Sequence, residues 1–168
     1  MQKSLLHLLV GAALVSGIIS SHAAPTRTRP RTPRTPPHVD AFNAGTERLL
    51  DMELSAAEQL LRRAVRMRDN FAEAHNNLAF VLRKQGEDRF EEALNHYNRA
   101  TELDPTLAEA FMYRGVLYVH MGEMELAQSD FETLQSLDAD LAEELQWVID
   151  HGHEKEPEHF FGVVREVE

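Results

Sequence analysis

A small residue recurs at Gly45, Ala79 and Gly115, and a second recurs at Ala57, Ala93 and Ala127. Large apolar residues keep step with them, at Leu61, Tyr97 and Phe131, and so do Ala64, Ala100 and Leu134. Further columns hold Leu54, Phe90 and Met124, then Met67, Leu103 and Leu137. The spacing is 34 residues from Gly45 to Ala79 and again from Ala93 to Ala127. A period of this length commits a chain to stacking copies of one supersecondary unit, because no single copy can bury its own apolar face.

The middle copy shows what the unit is. Leu78, Val81 and Leu82 recur at helical spacing, and Phe90, Ala93, Leu94, Tyr97 and Ala100 do so after a break at Gly86. Gly86 ends the first helix and Pro105 stops the second, so the unit is a helix-turn-helix. Across this turn the spacing is 36 residues, from Ala57 to Ala93. The two extra residues fall near Glu87, Asp88 and Arg89, where a longer turn absorbs them without rotating either helix face. The copies span about 38–71, 72–107 and 108–141. A seventh helix over 142–151 caps the last copy, with Leu141, Leu145, Val148 and Ile149 facing it and Trp147 in the seam.

The columns resemble those of the tetratricopeptide repeat family over roughly 38–141. The middle copy carries Leu78-Ala79, Leu82, Ala93, Tyr97, Ala100 and Glu102-Leu103-Asp104-Pro105 where that family's motif residues stand. The third copy matches at Gly115, Tyr118, Ala127, Phe131 and Leu137 but has Arg114 where the family prefers leucine and Ala139 where it prefers proline. The first is the most degenerate, with Arg48 in an apolar column. The resemblance implies an all-α fold, a right-handed superhelix of three helix-turn-helix repeats with a C-terminal capping helix, whose concave face binds other proteins.

The repeats are preceded by two segments of different chemistry. Residues 1–23 carry one cation, Lys3, then an apolar run from Leu5 to Ile19 and the small residues of Ser21-His22-Ala23. This is the pattern of a secretory signal peptide cut after Ala23, and the run falls short of the roughly 20 apolar residues that span a bilayer. Cleavage without stable membrane insertion, and a periplasmic or secreted protein, are the expectation. Residues 24–38 thread Arg27, Arg29, Arg31 and Arg34 among five of the chain's seven prolines. They read as an extended linker.

Residues 39–168 then hold 12 basic and 28 acidic side chains, a net charge of −16. Phosphates would be repelled, so nucleic acid is not an expected partner. The chain has no cysteine, which excludes disulfides, thiolate metal sites and a thiol nucleophile. No phosphate loop, dinucleotide fingerprint, nucleophile elbow or zinc signature occurs. An enzyme is therefore not expected, nor a cofactor. His151, His153 and His159 follow no metal-site spacing and read as a solvated tail. His75, His96 and His120 read as surface or groove residues.

The informative surface is the groove lined by the first helix of each copy. Residues left over from the core there are Phe42, Asn43 and Thr46, then Asn76, Asn77, Phe80 and Arg83, then Glu109, Met112, Tyr113, Val116 and His120. Aromatic and methionine side chains supply burial while amides bond a peptide backbone, so the expected ligand is a protein or peptide of unknown identity. One ligand class known for the resembling family is disfavoured. Its co-chaperones clamp a chaperone's C-terminal carboxylate with lysine, arginine and asparagine, but here only Asn77 matches, and Glu109 would repel a carboxylate. Two alternatives to a transient scaffold are a permanent subunit of an envelope assembly (secretion, pilus or cytochrome maturation) and a metal-handling protein using the histidine-rich tail. The tail, residues 152–168, ends in an apolar stretch with Phe160, Phe161, Val163, Val164 and Val167. Its two places are against the capping helix or in the groove as a self-ligand that a partner displaces; docking on the capping helix is the expectation.

Overall fold

The computed structural model describes residues 35–155. The signal-peptide assignment for residues 1–23, the linker as far as residue 34 and the apolar stretch after Glu156 lie outside them. The linker's expected end at residue 38 is corrected: the first helix begins at Pro37, since proline suits a first helical position. Among the described residues there are seven α-helices: α1 (Pro37–Leu50), α2 (Leu54–Met67), α3 (Ala72–Gln85), α4 (Phe90–Leu103), α5 (Ala108–Met121), α6 (Met124–Leu137) and α7 (Ala139–His151). None of them is long and apolar enough to cross a membrane.

The helices pair as α1 with α2, α3 with α4 and α5 with α6, and each second helix also packs on the first helix of the next copy. Helices α1, α3, α5 and α7 touch one another in sequence, so they form the inner layer, with α2, α4 and α6 outside it. The column residues carry the packing. Ala57, Leu61, Ala64, Ala93, Tyr97, Ala100, Ala127 and Leu134 are all fully buried. The two glycines of the first column mark close approach: a Cβ on Gly45 would stand 2.8 Å from Leu61 Cγ, and one on Gly115 would stand 2.5 Å from Leu145 Cδ2 on the capping helix. The capping helix starts at Ala139, earlier than the sequence pattern alone places it. The Asp138 carboxylate accepts from the backbone N–H groups of Asp140 and Leu141, a side-chain cap that starts the helix without the expected proline.

The extra residues of the middle copy coil into a 3-10 turn, Glu87–Arg89, between α3 and α4. Arg89 fixes this turn to its surroundings: its guanidinium donates to Gln85 Oε1 at 3.0 Å, Glu92 Oε2 at 2.8 Å and Glu58 Oε1 of α2 at 3.1 Å. Arg62 extends the network with a 2.6 Å bond to Glu92. Burial disfavours ionised Glu58 and Glu92, but the bonds from Gln85, Arg62 and Arg89 outweigh it and hold both carboxyls below their ordinary range. An insertion that lengthens a turn therefore also stitches the first copy to the second.

Turns in the three copies occupy equivalent positions, Met52, Gly86 and Gly122, and all three have positive φ: 57°, 133° and 80°. Met52 is 55 % exposed, so its side chain gains little in return for a left-handed backbone. Met52→Gly should raise stability by about 0.5–1 kcal/mol, the relieved strain less the added freedom of the unfolded chain. Urea denaturation at constant slope measures it, and a midpoint that falls would contradict the left-handed assignment.

Arg114 stands where the resemblance prefers leucine, and its surroundings explain the departure. It donates to Asp130 of α6 through two bonds, 2.6 and 2.9 Å, and to Asn98 Oδ1 and Thr101 Oγ1 of α4 at 3.0 and 2.8 Å. A single side chain thus ties the second and third copies together by hydrogen bonds in place of apolar contact.

Candidate functional site

The sequence-derived groove residues separate into three groups. The first is a polar seam between α1 and α3: Asn77 donates to Thr46 Oγ1 at 3.0 Å, and Asn76 donates to Asn77 Oδ1 at 3.2 Å. Asn76 and Asn77 are fully buried, and Asn76 Oδ1 has no hydrogen-bond partner. The amides hold two inner helices together.

The second group is apolar or peripheral. Phe42 is buried against Phe71, ring centroids 4.9 Å apart, and Met112 and Val116 are buried in the core around α5. Asn43 is exposed, Glu109 is half-buried, and His120 is exposed with its ring stacked on Phe90 at 6.1 Å.

Phe80, Arg83 and Tyr113 form the third group, a compact seat shared by α3 and α5. The Phe80 and Tyr113 rings meet edge to face at 4.8 Å. The Arg83 guanidinium lies over both, 5.1 Å from one centroid and 5.6 Å from the other, and its side chain is 1 % exposed. A cation removed from water in this way needs a counter-charge. Glu154 supplies it, accepting from Nη1 at 2.7 Å and Nη2 at 2.9 Å in a bidentate fork. Desolvation works against both charges, but their mutual bonds win: Arg83 is held more basic than an ordinary arginine and the Glu154 carboxyl lies below its ordinary range. Beneath them Tyr97 is fully buried, and burial pushes its phenol well up. The Arg83 guanidinium interacts with the Tyr97 hydroxyl and tempers that rise.

Glu154 lies beyond the capping helix, which Gly152 ends with a left-handed φ of 76°. Its neighbours remain on that helix: Lys155 donates to Glu144 at 2.8 Å, and Trp147 carries His151 stacked at 4.2 Å and His153 edge-on at 5.0 Å. His153 and Lys155 thus stay on the capping helix, while Glu154 reaches 71 positions back to α3. The expected docking of the apolar stretch after Glu156 falls outside the described residues. Sequence reasoning singled out Arg83 but missed Glu154. The available signal was the cation itself, an arginine at an inner-face position that folding would strip of water.

His75 and His96 correct a second expectation. They are not surface or groove residues: His75 is 3 % exposed, and its Nδ1 lies 2.9 Å from His96 Nδ1, between α3 and α4. His75 Nε2 lies 2.9 Å from the Asp69 carbonyl. A carbonyl only accepts, so His75 donates through Nε2 and accepts at Nδ1 from His96. No cluster of three metal-ligating side chains occurs among the described residues.

Comparison with known proteins agrees with this architecture. Residues 87–122 match the model described as TPR repeat, and residues 108–141 match the one described as Tetratricopeptide repeat. A curated relative, UDP-N-acetylglucosamine--peptide N-acetylglucosaminyltransferase of Giardia intestinalis (strain ATCC 50803 / WB clone C6), is 35% identical over 85 residues. That match covers 51% of this chain but only 6% of the relative's length.

Among solved structures, the first TPR of Spaghetti (RPAP3) bound to HSP90 peptide SRMEEVD superposes with a TM-score of 0.63 at 16% identity, covering 68% of this chain and 91% of that one. The TPR2B domain of yeast Sti1, in a complex with an Hsp70 peptide, gives 0.62 at 18%, covering 69% and 98%. The Arabidopsis OM64 TPR domain gives 0.63 at 15%, covering 70% and 97%. At such identities these likenesses concern the fold. With the repeat matches over residues 87–141, they show that the described helices take the superhelical fold of tetratricopeptide-repeat domains.

Proposed function

We propose that this chain is a non-catalytic scaffold outside the cytoplasm that holds a peptide segment of a partner protein along its concave face. The observation that carries the reading is the seat of Phe80, Arg83 and Tyr113, in which inner-helix side chains already grip a non-helical stretch of chain through Glu154. Inner faces of stacked helical repeats are extended concave surfaces suited to such ligands. The similar Spaghetti and Sti1 domains were solved with chaperone peptides, which supports peptide binding as a class of function for this architecture. The extracytoplasmic part rests on the N-terminal sequence pattern.

A photo-crosslinking residue at Asn43, exposed on α1, tests the groove in cells of the source organism, with exposed Asn95 of outer helix α4 as control. A discrete protein adduct from position 43 that is absent from position 95 is the expected result. Equal labelling from both positions would overturn the concave assignment. Recovery of a mature chain beginning at Ala24 in the osmotic-shock fraction tests the compartment.

A further inference from the structure

The seat around Arg83 defines the chemistry of what the groove takes. An arginine whose side chain is 1 % exposed, lying over two aromatic rings that meet edge to face, is held in one plane and favours a planar anion as its partner. In this structure that anion is a glutamate carboxylate.

Glu154 fills the seat through the two terminal nitrogens of Arg83, and the buried Tyr97 hydroxyl interacts with the guanidinium from beneath. Among the described residues, the neighbours of Glu154 are held by a half-exposed ion pair from Lys155 to Glu144 and by ring contacts of His153 with Trp147. Half-exposed pairs of this kind contribute little to holding a segment down. Over residues 152–155 the occupant is thus a well-placed carboxylate on a lightly held strap, just past the helix-ending turn at Gly152.

We infer that Arg83, Phe80 and Tyr113 form a receptor for a glutamate or aspartate side chain of an acidic peptide, and that Glu154 occupies it as an intramolecular stand-in which the partner displaces. This rests on the peptide-binding reading above and specifies its ligand. The seat is separate from the clamp positions considered from sequence. Glu109 disfavours a carboxylate there, whereas the cation that receives one here is Arg83 on α3. The net negative charge of the chain slows approach of an acidic peptide, so selectivity comes from the buried fork. A latched seat lowers apparent affinity by the fraction of time it is open, and removing the latch restores it.

The test uses the full mature chain and a fluorescein-labelled synthetic peptide copying residues 152–158, Gly-His-Glu-Lys-Glu-Pro-Glu. Glu154→Gln should bind this probe at least about tenfold more tightly than the wild type. Adding Arg83→Met, or replacing the probe's first glutamate by glutamine, should abolish the gain. Trp147, the single tryptophan, gives an independent readout on the unaltered protein. Displacing Glu154 draws His153 and Lys155 off its ring, so millimolar probe should shift its emission and the glutamine probe should not. This readout also decides the matter if Glu154→Gln fails to fold. Wild-type affinity in a folded Glu154→Gln chain, or unchanged Trp147 emission at saturating probe, would overturn the proposal. Either failure beside a specific adduct from position 43 condemns the seat and leaves the groove standing. Loss of that adduct with a tenfold gain in probe affinity would do the reverse.

Discussion

Arg114→Leu should destabilise the protein by about 3–5 kcal/mol at pH 7, although leucine is what the repeat pattern prefers at that position. Asp130 decides the sign. Its side chain is 4 % exposed, and burial already raises its pKa despite the two bonds from Arg114. Removing the guanidinium leaves a carboxylate with no partner in a site that cannot solvate it. Thermal unfolding should shift downward by roughly 10–25 °C. Without its partner Asp130 titrates higher in the folded than in the unfolded chain. The folded state then gains protons as pH falls, so the deficit against wild type should shrink by pH 5.

The double variant Arg114→Leu with Asp130→Ala should return to within about 1 kcal/mol of wild type, since both members of the buried pair are gone. Thr101 keeps its own bond to the Asn98 carbonyl at 3.0 Å, and half-buried Asn98 can turn to water. A double variant as unstable as the single one would show that the polar bridge, rather than the orphaned charge, carries the stability.

The same residues show why the fold was readable from sequence and the site only partly so. Ala57, Ala93 and Ala127 recur because each lies where two helices meet, and burial repeated at fixed spacing prints a period into the sequence. Tyr97 and Leu61 share that logic. The 3-10 turn was legible for the same reason, as an interruption of a period. Side chains that bind across the fold leave no such trace. Arg83 and Glu154 are 71 positions apart, and neither residue's local pattern names the other. Arg114 appeared as a departure from the repeat, with its reason, Asp130, hidden in the next helix.

Residues of the seat were legible one by one as inner-face positions, but not their grouping. Asn76 and Asn77 read as amides awaiting a peptide backbone, whereas the seam to Thr46 occupies them. A polar residue at an inner-face position serves either a ligand or the next helix, and only the distance between helices chooses. His75 was misread on the same ground, since a polar side chain that finds a partner between α3 and α4 can be as buried as leucine.

Acidification from pH 7 to 4.5 should remove about 2 kcal/mol of stability through His75 and His96. Burial lowers both, His75 below its ordinary value and His96 to about 4, where the neighbouring His75 and Arg62 add to the effect. Asp69 opposes the shift at both rings, Glu92 opposes it at His96, and Arg99 reinforces it at His75. The unfolded chain takes up these protons near pH 6.5 while the folded chain resists. Stability is therefore full above about pH 6.5, falls as pH drops through that value, and has lost the pair's contribution near pH 4.

Full burial would make the displacement of His96 worth about 3 kcal/mol, and the half-buried ring reduces the expectation to about 2. Geometry gives the physical cause. The neutral pair shares one proton between two Nδ1 atoms 2.9 Å apart, and a doubly protonated pair would set two donors against each other. His96→Gln keeps a donor to His75 and cannot take up a proton. Urea denaturation of both proteins between pH 7 and 4.5 should show the wild type losing about twice as much stability as His96→Gln. Parallel losses would assign the acid sensitivity to the carboxylates instead.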